Sequence, residues 1–197
     1  MKDAELFRYL EHKSDYVTLP GNFQYKVEVN DADRRIYCFF EETQQKSDWL
    51  TNISAIPRHW AYGLWWVHGG YKKIWDRHNP AVLNEVGKFA AGHKDYTVCF
   101  CGWSYGGAMA LLAAVRWYEE GTKPPLLITF GAPKVAIGNT TAKYFRHCLS
   151  ASSRQNILRR DPVPMFPLLL PWKHVVPKKT GGHGFPSRKF HGMYGGE

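Results

Sequence analysis

The stretch that decides the fold is YTVCFCGWSYGGA, residues 96–108. The apolar run 96–101 predicts a buried strand, and the small residues from 106 to about 119 predict a long helix packed on it. Between them Ser104 has glycine two positions before and two positions after it, which is the G-x-S-x-G pattern of a nucleophile elbow. The glycines are needed because side chains at those positions would collide in so tight a turn. The sequence therefore predicts that Ser104 is a nucleophile on a strained turn.

Strands and helices alternate along the rest of the chain. Further strands are predicted at 23–29, 35–40, 64–67, 126–130 and 156–158. Further helices are predicted at 2–13, at 140–149 and, with an interruption at Asn79-Pro80, at 71–91. This alternation predicts an α/β fold with a mainly parallel central sheet and helices on both faces. No repeat or linker divides the chain, so we expect one domain over residues 1–197.

The acid that would support the serine can be found by elimination. A serine hydroxyl needs a base, and in this kind of fold the order along the chain is serine, acid, histidine. Two of the four acids after Ser104 lie far along its helix, about 22 Å away at 1.5 Å per residue. A third acid is the last residue of the chain. Asp161, which follows the predicted strand 156–158, is therefore the predicted acid.

Three histidines follow Asp161 and could serve as the base. His174 stands in a strand-like apolar stretch, His183 lies among glycines, and His191 is close to the end of the chain. Because any of the three could instead be a structural polar group, the residues alone leave the base open.

The positive charge of the chain lies in its second half. The formal net charge is +9; residues 1–100 carry 13 basic and 13 acidic side chains, whereas residues 101–197 carry 13 and 4. An excess of basic side chains in one half of a chain is typical of a solvated surface, of contact with an anionic membrane or of nucleic-acid binding. No helix-turn-helix, zinc-finger or RNA-binding pattern is present, so we expect no nucleic-acid partner. The oligomeric state is not indicated by the sequence.

The four cysteines predict neither a disulfide framework nor a zinc site, because they form no C-x-x-C pair. We expect no metal and no cofactor. The first residues lack the apolar core of a signal peptide, and no apolar stretch is long enough to span a bilayer. We therefore expect synthesis in the cytoplasm, with release by lysis or by a route without a signal peptide left open.

Four blocks of sequence share their pattern with one known family. They are VHGGY at 67–71, GWSYGGA at 102–108, TFGAPKV at 129–135 and DPVPMFP at 161–167. In turn they resemble V-H-x-G-F, G-x-S-x-G-G-A, T-F-G-x-P-R-V and D-x-V-P-x-x-P of the class 3 lipases, which include fungal triacylglycerol lipases and plant phospholipases. The resemblance runs roughly from Ile36 to the end of the chain. It implies an α/β-hydrolase fold, a serine hydrolase acting on acyl esters of lipids, and Asp161 as the acid.

The resemblance also narrows the choice of base. The element His191-Gly192-Met193-Tyr194 is similar to the later histidine element of the family, which carries the base in bacterial and plant relatives. His174, in a stretch that resembles the family's H-V-G, is the alternative base.

Two donors for an oxyanion hole follow from the same resemblance. One is the backbone N–H of Tyr105, the residue after the nucleophile. The other is Thr43, since Phe40-Glu41-Glu42-Thr43 stands where the family has F-R-G-[ST]; Glu42 replaces the glycine and departs from that pattern. The turn at 68–70 is a rival source of donors.

The segment 44–66, rich in tryptophan and isoleucine, stands where the family has a lid. The alternative is a connection that only packs on the core. Two other functions stay open beside ester hydrolysis. One is a hydrolase fold that has lost activity and binds anionic lipid or a partner. The other is an acyltransferase that uses the same triad.

Overall fold

A seven-stranded sheet forms the centre of the protein in a computed structural model that describes residues 1–11, 15–41, 56–61, 63–158, 161–168 and 170–181. With strands numbered along the chain, its spatial order is β1 (Val17–Leu19), β2 (Phe23–Asn30), β3 (Arg35–Phe40), β6 (Thr97–Trp103), β7 (Leu126–Phe130), β9 (Arg154–Leu158) and β11 (Lys178–Gly181). The strands β1, β2 and β3 pair antiparallel, and all pairings from β3 onward to β11 are parallel. The predicted mainly parallel sheet is confirmed.

A second, smaller sheet lies beside the first. It contains β10 (Trp172–Lys173), β8 (Ala136–Ile137), β5 (Trp66–His68) and β4 (Pro57–His59), in that spatial order and with every pair antiparallel. Of these four strands, β5 overlaps a predicted strand and β10 lies in the strand-like stretch around His174, whereas β4 and β8 were not predicted. Strands of two or three residues are too short to show an alternating pattern, so periodicity could not reveal the others.

Helices cover both faces of the large sheet, as predicted. They are α1 (Asp3–Glu11), α2 (Gly69–Gly92), α3 (Tyr105–Glu119) and α4 (Gly138–His147). On one face α1 buries Leu6 and Phe7 over a cluster that includes Cys99 and Cys101, whose Sγ atoms are 3.5 Å apart. The apolar faces of α2 and α3 pack on the opposite side of the sheet, whereas α4 packs against strands of the small sheet. Each face therefore has its own hydrophobic core.

The expected interruption at Asn79-Pro80 is wrong, because α2 runs without a break from Gly69 to Gly92. Proline has no N–H to donate to the carbonyl four residues earlier, which here belongs to Asp76. The side-chain amide of Asn79 donates to that carbonyl instead, at 3.2 Å. The neighbouring residue thus supplies the hydrogen bond that Pro80 removes, and buried residues such as Trp75 and Val82 hold the helix on the sheet.

The edge strand β11 was not predicted either. Its four residues, Lys178–Gly181, are all exposed and contain no large apolar side chain. The strand forms through backbone pairing with β9, with Lys178 opposite Gln155. Lysine on an exposed edge discourages pairing with another chain.

Part of the predicted lid segment, 44–66, belongs to the small sheet. Strands β4 and β5 form an antiparallel pair, and between them Trp60 is buried with its indole N–H donating to Glu119 at 2.8 Å. Residues 44–55 and Tyr62 lie outside the described residues, so the lid stays a prediction. Within the described ranges, no helix is both long and apolar enough to cross a membrane.

Candidate active site

Ser104 stands at the junction of β6 and α3, in a conformation that few residues adopt. Its backbone dihedrals are φ 54° and ψ −125°, and a positive φ is strained for a residue with a side chain. Its N–H donates to the carbonyl of Phe130 on the neighbouring strand at 2.9 Å, which fixes the turn to the sheet. The hydroxyl is buried and has no hydrogen-bond partner among the described residues. The predicted strained turn between strand and helix is confirmed, and the role of Ser104 as a nucleophile stays a prediction.

Three glycines allow this turn to form. A Cβ atom on Gly102 would lie 2.2 Å from the carbonyl oxygen of Gly106, and one on Gly106 would lie 2.2 Å from the carbonyl oxygen of Phe40. A Cβ atom on Gly107 would lie 2.5 Å from that of Ala132. All three distances are far below van der Waals contact, so the helix α3 can approach the sheet only because these positions lack side chains.

The close contact of Gly106 also places the end of β3 beside the nucleophile. Phe40 pairs with Gly102 in the parallel ladder, and the carbonyl oxygen of Glu41 would lie 2.9 Å from a Cβ atom on Gly106. The chain therefore leaves β3 next to the elbow. Thr43 follows two residues later but lies outside the described residues, so its role as an oxyanion donor stays a prediction.

The first turn of α3 faces the same point. Tyr105 is the first residue of this helix, and the N-terminus of a helix presents backbone N–H groups and a positive dipole to developing negative charge. This position agrees with the predicted role of the Tyr105 N–H.

Two of the rival donors in the turn at 68–70, the N–H groups of His68 and Gly69, already have acceptors. The N–H of His68 donates to the carbonyl of Val135 and that of Gly69 to Ile56, each at 3.0 Å. The imidazole of His68 accepts from the N–H of Tyr71 at 3.4 Å and caps α2. These contacts favour a structural role for the turn.

Asp161 lies where the elimination places it, three residues after the end of β9. Its side chain is buried, and one carboxylate oxygen accepts from the N–H of Val163 at 2.9 Å. Only β7 separates β9 from β6, so the backbones of the two strands are about 10 Å apart, which is two interstrand spacings. Because these strands are parallel, Ser104 and Asp161 both follow carboxyl ends at the same edge of the sheet.

The imidazole of His174 is engaged in a hydrogen bond with the backbone. Its Nε2–H donates to the carbonyl of Pro164 at 2.8 Å, in the short 3₁₀ turn that follows Asp161. Burial, followed by the charge of Lys178, lowers the pKa of His174 to about 4, so the ring is neutral near pH 7. This geometry assigns His174 to holding the loop that carries the acid.

Lys134 holds the same loop, a role that the sequence analysis missed. Its backbone N–H donates to the carbonyl of Phe166 at 2.9 Å, and its ammonium group donates to that of Met165 at 2.6 Å. The one signal in the sequence was its place in the block 129–135. The remaining predicted site residues, His183 and His191, lie outside the described residues.

A parallel sheet with a strained serine between strand and helix, and a buried acid after a nearby parallel strand, defines an α/β-hydrolase fold. Residues 37–170 match the model of the family Lipase (class 3). The chain therefore belongs to the class 3 lipase family.

Relatives among fungal lipases agree with this assignment. The lipase of Rhizopus niveus is 30% identical over 165 residues, which cover 77% of this chain and 37% of that protein. A structure of the Rhizomucor miehei triacylglyceride lipase superposes with a TM-score of 0.75 at 23% identity, over 85% of this chain and 65% of the other. A second structure is that of a triacylglycerol lipase in which a serine protease triad forms the catalytic centre. It superposes with a TM-score of 0.71 at 24% identity, over 78% of this chain and 60% of the other. The chain thus spans well under half the length of the Rhizopus relative.

The glycine contacts predict a large difference between two alanine substitutions. Gly106→Ala should lower the free energy of unfolding by at least about 2 kcal/mol, because the new methyl group meets the Phe40 carbonyl. Gly87→Ala, in the open interior of α2, should raise it by about 0.5–1 kcal/mol. Urea denaturation of both variants measures the difference. Equal stability of Gly106→Ala and the wild type would contradict the close contact.

The lowered pKa of the half-buried His174 predicts a pH dependence of stability. Between pH 6.5 and about 4 the unfolded state binds a proton that folded His174 does not, so its contribution is lost as the pH falls through this window, by up to about 1.4 kcal/mol per pH unit. His174→Gln, whose amide can still donate to Pro164, should have a flatter profile. Urea denaturation between pH 4 and 7.5 tests this, and parallel profiles for the two proteins would exclude it.

Proposed function

We propose that the protein is a serine carboxylic ester hydrolase that cleaves acyl esters of lipids. The observation that carries the proposal is Ser104, held at φ 54° in a glycine-packed turn at the head of α3. A strained backbone of this kind persists only where the surrounding structure enforces it, and nucleophile elbows are such places. Membership of the class 3 lipase family supports an ester of an acyl lipid as the substrate.

In the proposed reaction, Ser104 Oγ attacks the ester carbonyl carbon while His191 accepts the hydroxyl proton. The carboxylate of Asp161 accepts a hydrogen bond from the other imidazole nitrogen and stabilises the imidazolium that forms. The buried position of Asp161, already fixed by the N–H of Val163, supports this orienting role.

The negative charge of the tetrahedral intermediate falls on the former carbonyl oxygen. The N–H of Tyr105 and Thr43 donate hydrogen bonds to it, and the N-terminus of α3 adds a favourable dipole. Collapse of the intermediate breaks the bond to the alcohol oxygen, which leaves with the proton from His191. Water, deprotonated by His191, then attacks the acyl-enzyme, and the carboxylic acid leaves as Ser104 is restored.

We also propose that the enzyme meets its substrate at an anionic lipid surface. The formal net charge of +9 comes from residues 101–197, the half that contains Ser104 and Asp161. Lysine and arginine near an anionic leaflet contribute about 1 kcal/mol of attraction each. This charge therefore favours contact between the active-site half and anionic lipid.

Hydrolysis of p-nitrophenyl butyrate and palmitate tests the proposed activity. Ser104→Ala and His191→Gln should each lower kcat/KM at least about a thousandfold, because both remove a member of the triad. Asp161→Asn should cost a similar factor. His174→Gln is the matched control for His191→Gln and should retain activity within about tenfold, since its ring contacts Pro164.

Circular dichroism and thermal unfolding of each variant would separate loss of chemistry from loss of fold. Activity that survives Ser104→Ala would exclude the proposed nucleophile. A larger loss in His174→Gln than in His191→Gln, with both proteins folded, would transfer the role of base to His174. The ratio of palmitate to butyrate hydrolysis separates a lipase from an esterase for short acyl chains.

A further inference from the structure

Large apolar side chains are exposed in the loop directly after Asp161. The exposed fraction is 62% for Leu168, 49% for Met165 and 42% for Leu170, and Phe166 is exposed as well. Scattered apolar residues are normal on a surface, but a contiguous group in one short segment marks a contact site.

The backbone of this loop is hydrogen-bonded to the body of the protein on both sides of Leu168 and Leu170. Carbonyl oxygens at four positions accept hydrogen bonds from the body of the protein. Their donors are the His174 ring for Pro164, the Lys134 ammonium group for Met165, the Lys134 N–H for Phe166 and the Gly138 N–H for Pro171. With these four carbonyl groups bonded to the protein, the side chains of Met165, Phe166, Leu168 and Leu170 are exposed.

Three lysines lie beside the same loop. Lys134 donates to it directly, and burial together with the charges of Lys178 and Lys173 lowers the pKa of Lys134. Lys173 and Lys178 therefore lie near enough to Lys134 for their charges to act on its ammonium group. Within the described ranges none of the three forms an ion pair, in contrast to Lys179, which pairs with Asp3. Their positive charges can therefore attract an anionic partner.

We propose that this surface, the docking rim, binds an anionic phospholipid surface. The docking rim consists of Met165, Phe166, Leu168, Leu170, Lys134, Lys173 and Lys178. Its apolar side chains enter the headgroup region and its ammonium groups contact lipid phosphates. This combination of apolar burial and charge is what holds peripheral proteins on anionic membranes.

Charge complementarity decides which partner fits the docking rim. A second copy of this chain would bring its own lysines against these, because an isologous interface places like patches together. A neutral lipid surface would leave the ammonium groups without counter-charges. An anionic lipid surface satisfies the lysines and the leucines at once, and it holds the protein by the loop that carries Asp161.

The inference rests on the proposed function for its purpose, because a lipid hydrolase must reach lipid, but binding can be measured without catalysis. Full-length protein carrying Ser104→Ala would be floated with vesicles of phosphatidylcholine, or of phosphatidylcholine with 30% phosphatidylglycerol. We expect binding to the anionic vesicles, weakened by 0.5 M salt, and little binding to the neutral ones.

Two pairs of substitutions with equal charge change locate the binding surface. Lys173→Gln with Lys178→Gln should weaken binding to anionic vesicles about 10- to 30-fold. Lys94→Gln with Lys123→Gln, before the amino ends of β6 and β7 and so at the opposite edge of the parallel sheet, should change it less than about threefold. For the apolar part, Leu168→Ser with Leu170→Ser should weaken binding at least about tenfold. Val17→Ser, on the exposed strand β1 at the far edge, should not.

Equal losses from the two lysine pairs would overturn the docking rim, because attraction would then depend on net charge alone. Binding to neutral vesicles as tight as to anionic ones would also overturn it. A dimer that the Leu168/Leu170 variant dissociates, with vesicle binding unchanged, would overturn it as well. Light scattering would detect such a dimer. Failure of the proposed function would give a different result. The wild-type protein would then not hydrolyse soluble esters but would still bind anionic vesicles. The Lys94/Lys123 variant should hydrolyse p-nitrophenyl butyrate at the wild-type rate.

Discussion

The rest of the structure depends on the absence of side chains where α3 meets the sheet. Gly102 faces the backbone of Gly106, and Gly106 lies against the carbonyl groups at the end of β3. A methyl group on Gly106 would overlap the oxygen of Phe40. This single packing constraint holds Ser104 in its strained conformation, sets the first turn of α3 beside it, and brings the chain after β3 to the same place. Three parts of one candidate site are thereby positioned by backbone contacts, before any polar side chain contributes.

Asp161 and the loop after it are held by polar groups instead. Asp161 follows β9, and the loop after it is fixed through carbonyl oxygens that accept from Lys134 and His174. The same hydrogen bonds have two effects. They keep the carboxylate in place at the carboxyl edge of the sheet, and they turn the apolar side chains of the loop outward. Positioning of the acid and exposure of the leucines are therefore consequences of one arrangement, which joins the candidate active site to the docking rim.

Sequence reasoning found the features that local rules or elimination determine. Ser104 was recognisable because a tight turn needs glycine on both sides, and Asp161 because the second half of the chain has so few acids. It missed β11, whose lysines carry no apolar pattern, and it wrongly interrupted α2, where the side chain of Asn79 replaces the hydrogen bond lost at Pro80. The roles of Lys134 and His174 could not be foreseen, because both depend on contacts with a loop about 10 to 30 residues away in sequence. The choice between His174 and His191 was left to family resemblance for the same reason.

The central claim is that Ser104 is an activated nucleophile, and covalent labelling tests it most directly. The wild-type protein would be treated with a fluorophosphonate in the presence of detergent, digested, and examined by peptide mass spectrometry. Only a serine whose proton can pass to a base reacts readily with such a reagent. The account predicts one adduct, on Ser104, whose formation slows sharply in the Asp161→Asn protein. No adduct, or an adduct on another serine while Ser104 stays unmodified, would contradict it.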